Sequence, residues 1–204
     1  MTDMNRTDDT ARIEEKNSLR LQPLIREINR ISEESAENVI IAVDGRCASG
    51  KTTLSAMLSG KIDCNVFHMD DFFLRPEQRS PERLKTPGEN IDHERFLEEI
   101  LRPLKEDRQV IFRRYDCHQG RLLEPVAVPK KHLNIIEGVY SLHPLLLDHY
   151  DLTVFSDIDE AEQKDRIIKR NTPEMAEKFF AVWIPMEEVY FSCFDIRSIA
   201  DLII

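Results

Sequence analysis

The chain has 204 residues and a formal net charge of −10, with 38 acidic and 28 basic residues. A chain of this length can bury a substantial core, and its acidic balance argues against a general nucleic-acid binder, which needs a basic face. No apolar run approaches the roughly 18 residues of a membrane span, and the polar N-terminus lacks the apolar core of a signal peptide. We therefore expect a cytoplasmic protein without nucleic-acid or membrane partners, and a homo-oligomer is possible.

The first third of the chain predicts a helix, a strand, a second helix and a second strand. Residues 1–17 are polar and predict a flexible segment, whereas apolar residues at helical spacing over 18–33 predict an amphipathic helix. The run "NVIIAVDG" (38–45) is typical of a strand that is buried on both faces. A helix is expected to begin at Lys51, and "NVFHM" (65–69) predicts the second strand.

The middle of the chain begins with a polar segment, 72–92, that is rich in proline and arginine. It predicts a long loop or small substrate flap, because long loops within compact domains are often functional. A helical stripe of apolar residues follows between Phe96 and Leu104, and a short helix is expected over 142–150. Four further apolar runs predict strands, namely "QVIFRRY", "HLNIIEG", "DLTVFSD" and "IADLII".

A charged helix is predicted over 159–170, within a helical lid region that spans 159–190. Thr172 as N-cap and Pro173 at the first helical position predict the start of the next helix. Pro185 is expected to kink or end that helix. Its apolar residues fall on one helical face, namely Met175, Phe179, Val182, Trp183 and Met186.

The alternation of strands and helices indicates an α/β fold. We predict a parallel sheet of about five strands flanked by helices. The whole chain, 1–204, is expected to form a single domain.

The segment "GRCASGKT" (45–52) fits the phosphate-binding pattern G-x-x-x-x-G-K-[ST]. Its glycines let the backbone curl so that N–H groups point at phosphate oxygens, and the following helix adds the positive end of its dipole. Lys51 is expected to reach the β and γ phosphates, and Thr52 to offer its hydroxyl to Mg²⁺. Together with the predicted sheet, this loop indicates a P-loop NTPase. The predicted nucleotide-binding residues are Gly45, Arg46, Cys47, Ala48, Ser49, Gly50, Lys51, Thr52 and Thr53.

Acidic residues follow three of the predicted strands, where ligands of parallel sheets bind. Asp44 precedes the phosphate loop, and both a turn-stabilising role and a metal role are open to it. Glu137 precedes a glycine and resembles an acid that binds metal-bound water. Asp70 precedes the flap and could accept a proton from a substrate hydroxyl, whereas its neighbour Asp71 suits a capping role. Thr52, Asp70 and Glu137 are the predicted metal-site residues.

Arg166 and Arg170 are four residues apart, so they share one face of the predicted helix. Arginines that close over a transferring phosphoryl group stabilise its charge. Alternatively, they form a solvated stripe that pairs with Glu162 and Asp165. Helical spacing alone favours the solvated stripe.

These motifs occur in the order found in the uridine kinase and phosphoribulokinase-like family of P-loop kinases, which the chain resembles from about residue 38 to 204. The resemblance implies phosphorylation of a hydroxyl group on a small metabolite, typically the 5′-hydroxyl of a nucleoside, with ATP and Mg²⁺. GTP remains open as an alternative donor. The residues that carry the resemblance are "GRCASGKTT", "HMDDFF", "NIDHERF", "YDCHQGR", "IIEGVYSLHPLL", "DLTVFSDI" and "RIIKRN".

The resemblance also implies roles for single residues. Asp70 matches the general base of the family, and Asp92 matches the aspartate that binds ribose hydroxyls. Tyr115 and His118 resemble the residues that contact the base. The implied lid arginines and catalytic groups are Lys51, Asp70, Arg166 and Arg170, and the implied substrate site further includes Phe73, His93 and Arg121.

The sequence restricts the type of reaction more closely than it restricts the identity of the acceptor. The segment "HMDDFFLRPE" also resembles nicotinamide riboside kinases, so nicotinamide riboside, pantothenate and sugar phosphates stay open as alternatives to uridine or cytidine. A family arginine at the start of the lid helix is Gln163 here. A third hypothesis is a regulatory ATPase without a small acceptor. This hypothesis gives no role to Asp92, Tyr115 and His118.

Overall fold

The computed structural model describes residues 21–204, so the predictions for residues 1–20 lie outside the described range. A five-stranded parallel sheet has the order β2-β7-β1-β8-β9, which confirms the predicted fold class. Its strands are β1 (Val39–Gly45), β2 (Cys64–His68), β7 (Leu133–Glu137), β8 (Leu152–Ser156) and β9 (Leu202–Ile203). Two small antiparallel pairs contain β3 (Ile111–Phe112), β4 (Tyr115–Asp116), β5 (Arg121–Leu122) and β6 (Val126–Ala127).

Helices cover both faces of the sheet. π-helical turns join α4 to α5 (Leu97–Leu101) and α7 to α8 (Phe179–Trp183). The α-helices are α1 (21–34), α2 (Lys51–Ser59), α3 (Pro81–Lys85), α4 (His93–Phe96), α5 (Arg102–Lys105), α6 (Glu160–Arg170), α7 (Pro173–Lys178), α8 (Ile184–Cys193) and α9 (Ile196–Ile199). Within residues 21–204, no helix has the length and apolar character that a membrane crossing requires.

Two apolar layers enclose β1, which is buried along its whole length as its sequence predicts. Side chains alternate along a strand, so Ile40 and Ala42 face one layer while Val39, Ile41 and Val43 face the other. The first layer contains the stripe Phe96, Ile100 and Leu104. The second contains Leu21, Leu24 and Ile28 of α1 with Leu54 and Leu58 of α2.

The sequence predicts one strand over "QVIFRRY", but this run forms two short strands, both outside the central sheet. It divides between β3 and β4, which pair with β6 and β5 respectively. The division falls at Arg113 and Arg114, and the Arg113 guanidinium donates to the Leu123 and Leu122 carbonyls. The helix expected over 142–150 is also reduced to a short 3₁₀ turn, Leu147–His149.

The start of α7 is as predicted, because the Thr172 hydroxyl accepts a hydrogen bond from the Met175 N–H at 3.3 Å. Pro185 does not end the helix, so of its two predicted effects the structure excludes an end, and a kink stays a prediction. It lies in the first turn of α8, directly after the π-helical turn, where a missing N–H costs little.

Only part of the predicted apolar face of this helix packs against the protein, since Phe179 contacts the cluster of Cys47, Ile167 and Ala176. Met175, Val182 and Trp183 are all exposed. A π-helical turn contains an extra residue, which rotates the following helix relative to a regular 3.6-residue repeat. The buried residues of α8 are therefore Glu187, Tyr190 and Phe191.

The flap segment, 72–92, leaves the domain and returns at almost the same place. Its ends are joined by an antiparallel bridge between Phe73 and Ile91, and the Asp92 N–H donates to the Phe72 carbonyl at 2.7 Å. Between these ends the segment contains a 3₁₀ turn, Pro76–Gln78, and α3. The predicted roles of this segment as a flap and of 159–190 as a lid stay predictions.

Candidate active site

The loop between β1 and α2 is closely packed against β8, which lies beside β1 in the sheet. Gly45 has φ +133°, and a Cβ atom at this position would lie 2.1 Å from the Ser156 carbonyl oxygen, so only glycine fits. Gly50 also has a positive φ, +101°, immediately before α2. The Lys51 ammonium donates to the carbonyls of Gly45 at 2.6 Å and Arg46 at 2.9 Å. The loop therefore holds its own lysine at the start of the helix.

Asp44 connects the base of this loop to two other segments. One carboxylate oxygen accepts hydrogen bonds from the N–H groups of Gly45 at 2.6 Å and Tyr140 at 3.2 Å. The other accepts from the Leu142 N–H at 2.9 Å and the Tyr190 hydroxyl at 2.8 Å. Burial raises the pKa of this carboxyl, although its donors and the Lys51 charge oppose that effect. Of the two roles open to Asp44, these contacts support the turn-stabilising one.

The ends of β2, β7 and α2 bring three polar side chains together. Glu137 is buried, and its Oε1 atom accepts from the Thr52 hydroxyl at 3.1 Å. The same oxygen lies 2.5 Å from Nδ1 of His68, and this hydrogen bond raises the pKa of the imidazole. His68 is opposite Glu137 in the parallel register of β2 and β7. Sequence reasoning missed His68, although its position at the end of a strand, two residues before Asp70, was the available signal.

Asp70 and Asp71 lie on a 3₁₀ turn, Met69–Phe72, rather than on the strand itself. Asp70 is exposed to solvent, but partial desolvation by the surrounding protein raises its pKa, as do the charges of Glu137 and Asp71, whereas Lys51 and His68 lower it. The Asp71 carboxylate forms an ion pair with Arg114 at 3.4 Å. The N-cap position of this turn is His68, and no side chain caps it; the capping role expected for Asp71 in the segment that follows stays a prediction. The two neighbouring acids thus have different surroundings.

The residues predicted to hold Mg²⁺ lie at one edge of the sheet. Thr52 offers a hydroxyl, and Asp70 and Glu137 offer carboxylate oxygens, which are the hard ligands that Mg²⁺ prefers. The Glu137 charge raises the Asp70 pKa, so the two acids are close enough to repel each other. A divalent cation would relieve that repulsion, and the donor set therefore fits the ion. Its presence stays a prediction.

Asp92, the predicted ligand of acceptor hydroxyls, is engaged by the protein itself. One oxygen accepts from the Gln78 side-chain amide at 2.8 Å, and the other accepts from the Arg95 N–H at 3.2 Å. The residue is 2% exposed and caps α4. An acceptor hydroxyl could reach Asp92 only if Gln78 moved away.

The remaining predicted acceptor residues lie in different environments. Tyr115 is buried on β4, whereas His118 and Arg121 are exposed on the hairpin formed by β4 and β5. Phe73 is half-buried at the start of the flap segment. His93 is buried, and its ring stacks on His143 with centroids 4.0 Å apart, so the structure does not bring it to the open cleft.

Helix α6 contacts the phosphate loop through two side chains. Arg166 donates to the Ala48 carbonyl at 2.9 Å and also pairs with Glu162 at 2.6 Å. The Gln163 amide donates to the Cys47 carbonyl at 3.0 Å. Arg170 is exposed, and its guanidinium lies 5.3 Å from the centroid of the Phe179 ring. The first arginine is therefore both ion-paired and directed at the loop.

A cleft of about 410 Å³ separates α6 from the phosphate loop and α2. Its lining includes Ser49, Gly50, Thr53, Met57, Arg166 and Lys169. The cleft adjoins the loop on the side of the lid region, so it offers space for the nucleoside part of a nucleotide.

A parallel sheet, a glycine-bounded loop between β1 and α2, and an acid at the end of β7 together define a P-loop nucleotide-binding domain. No protein-family model matches the chain. The chain is 27% identical to uridine kinase-like protein 3 of Arabidopsis thaliana over 154 residues, which cover 70% of this chain and 32% of that protein. It therefore spans about a third of the length of this curated relative.

Solved structures of two other proteins share the fold. A possible uridine kinase from Bacillus stearothermophilus matches with a TM-score of 0.63 and 22% identity, covering 89% of this chain and 99% of that one. A candidate fructose transport system kinase from a Silicibacter species matches with a TM-score of 0.64 and 23% identity, covering 83% of this chain and 91% of that one.

The predicted resemblance to the uridine kinase-like family and the P-loop kinase fold are both confirmed. The three proteins are named kinases, which supports the prediction that this chain is a phosphotransferase. The roles of its individual site residues stay predictions.

Proposed function

We propose that this protein transfers the γ-phosphoryl group of ATP to a hydroxyl of a small metabolite, with the 5′-hydroxyl of uridine or cytidine as the first candidate. The observation that carries the proposal is the meeting of Thr52, Glu137 and His68 beside Asp70, at the end of β2 and next to the phosphate loop. A loop for phosphates, oxygen ligands for a cation and a separate acid are the parts that phosphoryl transfer needs.

The donor would bind between the phosphate loop and α6. Loop N–H groups and the N-terminus of α2 attract phosphate oxygens. Lys51, which now bonds to loop carbonyls, can exchange these for the β and γ phosphates. Mg²⁺ bound near Thr52 and Glu137 would neutralise part of the phosphate charge. Arg166 already reaches the loop at Ala48 and is the lid arginine best placed to stabilise the transferring group.

The acceptor would bind on the opposite side, under the flap segment. Asp70 would orient the attacking hydroxyl and take its proton, and proton transfer can occur late because the transition state is loose. Its raised pKa makes it a stronger base than an ordinary aspartate. Asp71, paired with Arg114, would support the turn rather than take part in the chemistry.

An acceptor with an anionic group is a second candidate, favoured by arginines near this end of the site. Arg114 is half-exposed beside Asp71. Arg79 of the flap segment donates to the Leu74 carbonyl. Burial raises the pKa of the Cys117 thiol, and the charge of Arg79 lowers that pKa while the charge of Asp70 raises it, so both charges act on Cys117. A sugar phosphate could present its hydroxyl to Asp70 and its phosphate to these guanidinium groups.

A cytoplasmic location stays a prediction.

The test is an ADP-release assay with ATP and Mg²⁺ against a panel of nucleosides, nicotinamide riboside, pantothenate and sugar phosphates. We expect uridine or cytidine to raise turnover well above the rate without an acceptor. Stimulation by sugar phosphates alone would select the second candidate. If no acceptor on the panel raises the rate, the kinase proposal gives way to a nucleotide-binding regulatory ATPase.

A further inference from the structure

One peptide group of the phosphate loop is bound at both ends by charged side chains. The carbonyl of Arg46 accepts from the Lys51 ammonium at 2.9 Å. The N–H of the same peptide group, which belongs to Cys47, donates to Oε2 of Glu187 at 2.9 Å. Glu187 is 5% exposed, so this is a buried carboxylate that directly contacts the loop. The proposed phosphoryl transfer gives it no role.

Helix α8 fixes this carboxylate in place. Three residues after Glu187, the Tyr190 hydroxyl donates to Asp44 at the base of the loop. The neighbouring residue Glu188 pairs with Arg46 from the more exposed side of the helix. The contact between Glu187 and Cys47 is therefore part of a wider attachment of α8 to the loop, and Glu187 cannot simply turn away into solvent.

Among the charges around Glu187, Lys51 stabilises the ionised form of its carboxyl group. Asp44 from β1 contributes a second buried negative charge, and the Cys47 thiol and the Tyr140 hydroxyl also face this region. Lys51 supplies the opposing positive charge. Burial raises the pKa of Glu187, as does the charge of Asp44 more weakly, while the Cys47 N–H and Lys51 oppose the rise.

We propose that Glu187 positions the phosphate loop through the Cys47 N–H and takes up a proton from solvent when nucleotide phosphates bind. This inference rests on the proposed nucleotide site. Phosphates bring several negative charges to the loop and draw the Lys51 ammonium toward themselves, away from the Arg46 carbonyl. Both changes disfavour the charged form of Glu187. The protonated carboxyl group keeps a carbonyl oxygen that can still accept from Cys47.

Linkage gives the sign of the effect. Because the bound state holds one more proton, nucleotide affinity decreases as pH rises between the pKa values of Glu187 in the free and bound protein, by at most about tenfold per pH unit. Replacing Glu187 with glutamine keeps an acceptor for the Cys47 N–H but removes the titration. Glu188→Gln is the matched control, because it makes the same change one residue away on the more exposed side of α8.

The experiment is calorimetric titration of the full chain with ATP and Mg²⁺ in buffers of different ionisation enthalpy. We expect the wild type and E188Q to take up more protons per nucleotide than E187Q, by up to about one. We also expect the affinity of E187Q to exceed that of the wild type by several-fold at the high end of the pH range. The nucleotide is the same in every titration, so protons that it takes up or releases itself cancel when the variants are compared with the wild type.

Equal proton uptake in the wild type and E187Q, with nucleotide bound in both, would overturn the inference. Absence of nucleotide binding to the wild type would instead reject the proposed nucleotide site. Should E187Q not fold, infrared difference spectra of the wild type give a second readout. Nucleotide addition should then produce the carbonyl band of a newly protonated carboxyl group, and its absence would contradict the proposal.

Discussion

The Nδ1 atom of His68 lies 2.5 Å from Oε1 of Glu137, where the neighbouring strands β2 and β7 end. The same oxygen accepts the Thr52 hydroxyl, so an imidazole and the expected metal-ligand hydroxyl share one acceptor. The hydrogen bond to Glu137 raises the pKa of His68. A protonated His68 and Mg²⁺ would therefore compete for Glu137.

This competition predicts a pH-dependent requirement for Mg²⁺. As pH rises through the raised pKa of His68, the imidazole loses its positive charge and the half-saturating Mg²⁺ concentration should fall, by roughly threefold to tenfold. His68→Asn should remove most of this dependence, which is measured as initial rate against free Mg²⁺ at several pH values. His132→Asn is the control, because the His132 imidazole bonds to the Ser32 carbonyl and lies just before β7, at the opposite end of that strand from Glu137. An unchanged profile in the His68 variant would contradict the proposed competition.

The neighbouring acids Asp70 and Asp71 should respond differently to the same substitution. Asp70→Asn removes the expected base and should lower kcat by about 10²- to 10⁴-fold, with nucleotide binding largely retained. Asp71→Asn breaks an ion pair with Arg114, which is half-exposed, so a loss below about tenfold is expected. The measurement is steady-state kinetics together with nucleotide titration. Large and equal losses in both variants would show that the roles have been assigned wrongly.

The pH dependence of kcat/KM should report the raised pKa of Asp70. Partial desolvation by the surrounding protein and the Glu137 charge both disfavour its ionised form. Since a base must be deprotonated to act, the rate should fall as pH decreases through this raised pKa, above the ordinary aspartate value of about 4. The Asp71→Asn variant should keep an acidic limb, shifted to slightly lower pH because the substitution removes the Asp71 charge, which also raises the Asp70 pKa. A limb at the ordinary aspartate value would argue against this assignment.

Arg166 should contribute more to kcat than its neighbours on α6. Removing it with Arg166→Ala deletes the contact to the Ala48 carbonyl and the charge that faces the loop, so we expect kcat to fall by about 10- to 10³-fold. Lys164→Ala removes an exposed positive charge two residues away and should leave kcat within about twofold. Similar losses in both variants would indicate a general effect of charge on the lid region rather than a specific arginine.

Much of the central fold could be predicted from the sequence because it depends on local patterns. The apolar runs of β1, β7 and β8 are continuous, and the phosphate loop has fixed glycine spacing. Parallel strands end at one edge, so the order of strands was enough to place Asp70 and Glu137 near each other. The Thr172 cap likewise depends on a few adjacent residues.

Other features depend on contacts between distant residues, for which one sequence gives no signal. Two-residue strands such as β3 have no measurable period, and the π-helical turn before Pro185 altered the expected apolar face. The contact between Glu187 and the Cys47 N–H joins positions 140 residues apart. The hydrogen bond from Gln78 to Asp92 likewise joins distant residues. It occupies an oxygen of the carboxylate that, by the resemblance, binds the hydroxyls of the acceptor.

The hydrogen bond between Tyr190 and Asp44 should contribute strongly to stability, because it joins α8 to the base of the phosphate loop at 2.8 Å. Tyr190→Phe removes a donor to a fully buried carboxyl and should lower the free energy of unfolding by about 1.5–3 kcal/mol. Tyr150→Phe is the control, since the Tyr150 hydroxyl is buried and has no hydrogen-bond partner among the described residues. Its removal should be nearly neutral or stabilising. Urea denaturation of both variants measures the difference, and equal destabilisation would show that the loss comes from altered packing of the ring rather than from the bond to Asp44.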